Sequence, residues 1–109
     1  MQDSFVDTWS KDDWKKLTGT KFPDLEVREN RLTKAGNYPA QFAITEMSYT
    51  TVAGTSHLVM MQFVTMTPGV FWHFSCGAGG RNPSDANINF QKMRAQFLVI
   101  LSSFVFENY

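Results

Sequence analysis

The stretch from Gly69 to Asn82, GVFWHFSCGAGGRN, brings together the residue types that can do chemistry. It contains His73, the single cysteine of the chain, Cys76, and a cluster of glycines. A cysteine beside a histidine is typical of covalent catalysis, because the imidazole can take the proton of the thiol. Glycine-rich segments next to a helix are typical of loops that hold an anion. The sequence therefore raises two hypotheses here, a nucleophile and a phosphate site.

The catalytic hypothesis depends on the direction of the two side chains. Successive side chains of a strand point to opposite faces, so Cys76 shares a face with Trp72 and Phe74, while His73 lies on the other. A base must come within hydrogen-bond reach of its nucleophile, and a sheet between the two prevents this. We therefore expect Cys76 to be a small core residue and the protein not to be an enzyme; a small Cys-dependent enzyme is the least favoured alternative.

The glycine cluster does not match a phosphate-binding motif. GAGGRN lacks the Lys-Ser/Thr of a P-loop, and its spacing differs from GxGxxG. We expect a flexible loop between a strand and a helix, in which Arg81 is a single cation able to hold an anion. One cysteine and two distant histidines give no metal-ligand spacing, so no cofactor and no metal are predicted.

Length and charge limit the class of protein. The chain has 109 residues with ten basic and ten acidic side chains, so its formal net charge is zero. This length predicts one domain over residues 1–109, and the balanced charge argues against nucleic-acid binding. No apolar run is long enough to predict a membrane span. The compartment stays open; we favour the periplasm or envelope, as a mature form lacking its signal, over the cytoplasm.

Two helices are predicted, one near each end of the chain. Ser10 and Asp13 form a capping box for the first, and Trp14 shares its inner face with Leu17. This element is expected to extend towards the N-terminus through Phe5 and Trp9 and to end at Gly19. Ser84 is expected to cap the second, longer helix, whose apolar stripe consists of Phe90, Met93, Phe97, Ile100, Leu101 and Phe104.

Four strands are predicted between the helices. The first has Leu25 and Val27 at alternate positions, and the others are YPAQFAITEMSYT, HLVMMQFVTM and VFWHFSC, the last of which stops at the glycines. The connections are short, and Pro68-Gly69 is typical of a type II turn, so neighbouring strands must run antiparallel. The expected fold class is α+β: an antiparallel meander of about four strands, with a helix at each end, in a sandwich-like α/β/α arrangement.

The meander is unusually poor in charge. Between Tyr38 and Gly80 the one formally charged side chain is Glu46, whereas a sheet with one wet face normally has charges at alternate positions. On the third strand, Leu58, Met60, Val64 and Met66 point one way, and Val59, Met61 and Phe63 point the other. Both faces are therefore expected to be covered, either by the two helices or in part by a partner.

The second half of the chain resembles the PsbP/Mog1/DcrB-like family. HLVMMQFVTMTPGVFWHFSCGAGG followed by FQKMRAQFLVILSSFVF is similar to that group, in which an aromatic-rich strand and a final helix lead to a Ser-Phe pair, here Ser103-Phe104. The resemblance implies an α/β/α sandwich around an antiparallel sheet. It also implies accessory, assembly or chaperone-like work, often in the bacterial envelope or the thylakoid lumen, and binding of hydrophobic segments of other proteins.

These observations predict a non-catalytic accessory or chaperone-like protein that recognises another protein through an apolar sheet face. An immunity-like or secretion-associated protein is the alternative. If the first helix covers its face only in part, an apolar groove remains on the side away from the long helix, and methionines suit it because they adapt to varied shapes. Trp9 and Trp14, or a second copy in a homodimer, are the other occupants of this groove. Its expected lining is Met47, Met61, Phe63 and Phe71, with His73 at the edge.

Overall fold

The computed structural model describes residues 8–18, 24–35 and 37–102. The strands form one antiparallel sheet in the order β1-β2-β3-β4, with a helix before it and a helix after it. The fold is α+β with a four-stranded meander, as predicted. The elements are α1 (Lys11–Thr18), β1 (Glu26–Ala35), β2 (Tyr38–Thr51), β3 (Gly54–Thr67), β4 (Val70–Gly80) and α2 (Pro83–Ser102).

The start of α1 confirms the predicted capping box. The backbone N–H of Asp13 donates to Ser10 Oγ at 3.2 Å, and the backbone N–H of Ser10 donates to Asp13 Oδ2 at 2.9 Å. Trp14 is fully buried and Leu17 packs beside it, also as predicted. Trp9 is buried too, but it lies before the helix and not within it, because the capping box begins the helix after Ser10. Phe5 and Gly19 lie outside the described residues.

Two-residue turns connect the last three strands. Thr51 pairs with Gly54 and Thr67 pairs with Val70, so only two residues lie in each turn. Gly69 has φ 77°, the positive value that the third position of a type II turn requires. Such turns fix the register of the strands that they join.

The glycines after Cys76 belong to β4 and not to a loop, so the predicted end of this strand was wrong. β4 continues through Gly80, which pairs with His57. A side chain at Gly80 would meet the first turn of α2, with Asp85 C only 2.8 Å from an added Cβ. Glycine therefore allows the strand to extend to the point where α2 crosses it.

The cap of α2 is Asn82, one residue before Pro83, and not Ser84 as predicted. The backbone N–H of Asp85 donates to Asn82 Oδ1 at 2.9 Å, and the Ala86 N–H donates to the Asn82 carbonyl at 3.1 Å. Proline at the first helical position needs no donor and fixes a helical φ. The Asn-Pro pair therefore begins the helix earlier than the serine would.

The two helices pack on opposite faces of the sheet. Alternation on β3 is as predicted: Val59, Met61 and Phe63 belong to the cluster under α2, and Leu58, Met60, Val64 and Met66 to the cluster under α1. The buried stripe of α2 is narrower than predicted, because Met93 and Ile100 are 39% and 49% exposed. Phe104 lies outside the described residues. Among the α2 residues whose burial the structure describes, 83–101, the buried ones are Ala86, Phe90, Phe97 and Leu101.

Polar contacts hold α2 to β1. The Arg94 guanidinium donates to both carboxylate oxygens of Glu29, at 2.7 and 3.0 Å. This hydrogen bonding lowers the pKa of Glu29 below its ordinary value. Next to it, Arg28 donates to Asn87 Oδ1 at 2.7 Å and pairs with Glu46 at 2.7 Å. The one charge of the central strands is thus paired on the α2 side of the sheet.

Candidate partner-binding surface

The five residues of the predicted groove lie in two different places. Met61 and Phe63 face the long helix and are buried in its cluster, so their predicted position on the opposite face was wrong. Met47, Phe71 and His73 do lie on the other face. Met47 is only 2% exposed, because it packs in the cluster formed by α1. Of the predicted groove, Phe71 and His73 remain exposed.

The error on Met61 and Phe63 comes from the turn between β3 and β4. A two-residue turn pairs odd-numbered with even-numbered residues: Met61 lies opposite Cys76, and Phe63 opposite Phe74. Residues opposite each other share a face, so Met61 must share the face of Cys76. The Pro68-Gly69 signal was therefore sufficient to place Met60 and Met66, and not Met61, on the same face as Phe71.

The segment around α1 is fixed over β1 and β2. The Trp9 backbone N–H donates to Gln41 Oε1 at 3.0 Å, and the Trp14 indole N–H donates to Asn30 Oδ1 at 3.2 Å. The two tryptophan rings lie 4.9 Å apart, centroid to centroid. These contacts place α1 towards one side of its face, away from β4.

The α1 side of β4 remains exposed. Phe71 is 37% exposed, and the next residues of β4 on this side are exposed as well. The β3 residues beside them are half-buried, apart from fully buried Gln62 and Val64. Met66 lies opposite Phe71 in the register, and Met60 lies opposite Gly77. We call this surface the open face: Leu58, Met60 and Met66 on β3, and Phe71, His73, Ser75, Gly77 and Gly79 on β4.

A row of polar side chains runs across the α1 side of the sheet and ends at His73 on the open face. Gln62 is fully buried; its side-chain N–H donates to Thr45 Oγ1 at 2.8 Å, and its Oε1 lies 2.9 Å from His73 Nε2. An amide oxygen can only accept, so His73 must carry its proton on Nε2. His73 is exposed as a whole, but partial burial of its ring beside Gln62 lowers its pKa below the ordinary value. His73 is therefore neutral at pH 7, and the open face has no formal charge.

Cys76 and His73 lie on opposite faces, as alternation predicts. Cys76 is half-buried and packs against the cluster under α2, whereas His73 bonds Gln62 on the α1 side. The geometry thus gives the thiol no contact with the imidazole. Within the described ranges, no three His, Cys, Asp or Glu side chains come together as a metal-ligand group.

A shallow cleft lies at the start of α2, next to the last glycine of β4. Its volume is about 480 Å³, and Arg81 and Lys92 line it together with Asp85. The Asp85 carboxylate, which accepts from the Asn82 side-chain amide at 3.3 Å, also lines the cleft, so an anion bound there would meet a negative charge. In the described part of the chain, no helix is both long and apolar enough to cross a membrane.

Comparison with protein-family models, with curated proteins and with solved structures finds no match to this chain. The resemblance to the PsbP/Mog1/DcrB-like family therefore stays a prediction.

Proposed function

We propose that this protein is a non-catalytic accessory or chaperone-like protein that binds an apolar segment of another protein on the open face. The observation that carries the proposal is the uneven cover of one sheet face: α1 is anchored over β1 and β2, while Phe71 and His73 on β4 stay exposed. An exposed apolar patch on a small protein is typical of an interaction site.

The absence of formal charge on the open face indicates which kind of partner segment it can bind. Neither β3 nor β4 has an Asp, Glu, Lys or Arg side chain. His57 lies on the α2 side of β3, with Val59 and Met61, and His73 on the open face is neutral. A charged group placed here would lose water without gaining a counter-charge, which costs free energy. The favoured ligand is therefore an uncharged, apolar segment.

The shape of the open face is adaptable. Met60 leans over Gly77, with its Cγ 2.9 Å from the position that a Cβ would occupy. Methionine is unbranched and polarizable, so Met60 and Met66 can adjust to segments of different shape. This favours recognition of varied hydrophobic segments, as a chaperone-like function requires.

Site-specific photo-crosslinking tests the proposal. A photoreactive phenylalanine analogue replaces Phe71 in one variant and Leu32 in a matched control, which is 39% exposed at the other edge of the sheet. We expect adducts with another protein from position 71 and not from position 32, and loss of that protein from Phe71→Lys. Equal adducts from both positions, or none from position 71 in a folded variant, would contradict the proposal.

A further inference from the structure

The outer edge of β4 is long and regular. In the part of the chain that the structure describes, β4 has a neighbouring strand on one side only, β3. The pairing runs without a shift from Thr67–Val70 to His57–Gly80, and β4 has no charged residue and no proline. Edge strands that avoid pairing normally carry charges, prolines or bulges. β4 has none of these features, so its edge suits the addition of another strand.

The two halves of β4 are complementary in size. Residues 71 to 74 are all aromatic or imidazole side chains, and residues 76 to 80 are cysteine, alanine and glycines. If β4 pairs antiparallel with its own copy about Ser75, all eleven residues find a partner. Phe71 then lies opposite Gly79, and His73 opposite Gly77. An aromatic side chain over a cross-strand glycine is a stabilising arrangement in sheets.

The charge pattern agrees with self-pairing. A two-fold axis through Ser75 brings each residue near this axis close to its own copy, so any charge there would meet a like charge. β4 has no charged residue, so its two copies would not repel each other. The whole chain has a formal net charge of zero.

The position of α2 also fits a second copy. α2 lies on β4 and β3, and its Asn89 side chain donates to the carbonyl of Gly79 at 2.9 Å. Met93, one turn further on the same side of the helix, is 39% exposed. Two such helices, each centred between β3 and β4, would lie about 10 Å apart across the axis. That is the separation of packed helices, and Met93 would fill the contact.

We propose that β4 pairs with β4 of a second copy about a two-fold axis at Ser75, which gives a continuous eight-stranded sheet with the α2 helices side by side. The pairing uses the edge of β4 and leaves the open face accessible. It joins two open faces into one longer apolar surface. The dimer does not depend on the proposed function, since either one can exist without the other.

Disulfide crosslinking tests the register. In a Cys76→Ala background, Ser75→Cys places the only two thiols of the dimer opposite each other, within reach of a disulfide. We expect rapid formation of a covalent dimer on mild oxidation. Gly79→Cys in the same background is the matched control, since its copies would lie about 26 Å apart along the strand. Leu32→Cys is the control for random collision.

The outcomes decide the proposal without reference to any partner. A covalent dimer from Ser75→Cys, with little from the two controls, supports it. Equal crosslinking at all three positions overturns it. Sedimentation gives the second measurement: wild type should reach twice the 12.4 kDa of one chain, and Ser75→Lys should raise the dimer dissociation constant about tenfold or more. A wild type that stays at the mass of one chain at every soluble concentration also overturns it.

Discussion

The two edge strands of the sheet are built differently. β1 has five charged residues, and its pairing with β2 shifts between Val27 and Glu29. β4 has no charge and no shift. Charges and bulges protect an edge against pairing with other chains. The comparison leads us to place contacts with other chains at β4 and to regard β1 as the protected edge.

The same contrast extends to the faces beside these edges. Over β1, the Glu29–Arg94 pair and the Trp14–Asn30 hydrogen bond fix a helix on each side. Over β4, α2 covers one side, whereas Phe71 on the other side is exposed. Leaving an uncharged, apolar surface exposed to water costs a monomer free energy. Contact with another chain covers that surface and removes the cost. The following predictions test this contrast.

The largest effect is expected from a charge on the covered side. Met61→Lys places an ammonium in the fully buried cluster under α2 and should reduce the free energy of unfolding by roughly 4 kcal/mol or more. Thermal melting followed by circular dichroism measures this, with Met61→Leu as the size-matched control. A near-normal melting temperature for Met61→Lys would show that this side of the sheet is not the core.

A smaller loss is expected where α2 crosses the end of β4. Gly80→Ala puts a Cβ against the first turn of the helix and should reduce stability by roughly 2 kcal/mol. Gly79→Ala is the matched control, because its Cβ would meet only the His57 carbonyl, at 3.3 Å. Denaturant unfolding compares the two. If both variants lose the same stability, the close approach of α2 to Gly80 is not real.

Acid should weaken the protected edge. Because Arg94 lowers the pKa of Glu29 in the folded state, the pair contributes stability above the ordinary carboxyl pKa and loses it as pH falls through the folded value. Glu29 is 40% exposed, so the contribution is at most about 1 kcal/mol. Glu29→Gln should therefore be less stable than wild type at pH 7, and the difference should vanish in acid.

The control for this prediction is Glu26→Gln on the same strand. Glu26 contacts Lys11 at 2.9 Å, but its side chain is 66% exposed, so we expect almost no change. A difference between wild type and Glu29→Gln that persists at low pH would mean that the amide disturbs packing and not the ion pair.

The smallest change in stability is expected on the open face. Phe71→Lys and Leu32→Lys replace side chains of nearly equal exposure at opposite edges, and each should change stability by only about 0.5 kcal/mol. Chemical denaturation measures both. A large loss from Phe71→Lys alone would show that Phe71 belongs to the core, and the open face would then be an incorrect description.

Local signals predicted the elements well. The Ser10–Asp13 capping box, the turn at Pro68-Gly69 and the alternation along β3 depend on neighbouring residues, and each is present in the structure. The end of β4 was not predictable in this way. Taken alone, a glycine such as Gly80 predicts a loop. It lies inside a strand here because α2 crosses so close to it that there is no room for a side chain.

The candidate site was only half predictable. Phe71 and His73 were placed correctly by alternation within one strand. Met61 was misplaced because alternation must be carried across a turn, where a change of one residue reverses every side chain. Met47 is covered because of how far α1 extends over this face of the sheet. Contacts between residues far apart in the chain, such as Trp9–Gln41, determine that position.

Hydrogen exchange at the two edges tests the central contrast most directly. Amide exchange is measured for the β4 residues 70–80 and the β1 residues 26–35 at low and high protein concentration. We predict that protection of β4 amides increases with concentration, because pairing with a second copy occupies that edge, while protection of β1 stays constant. Protection that is independent of concentration at β4, or that increases equally at both edges, would contradict the account.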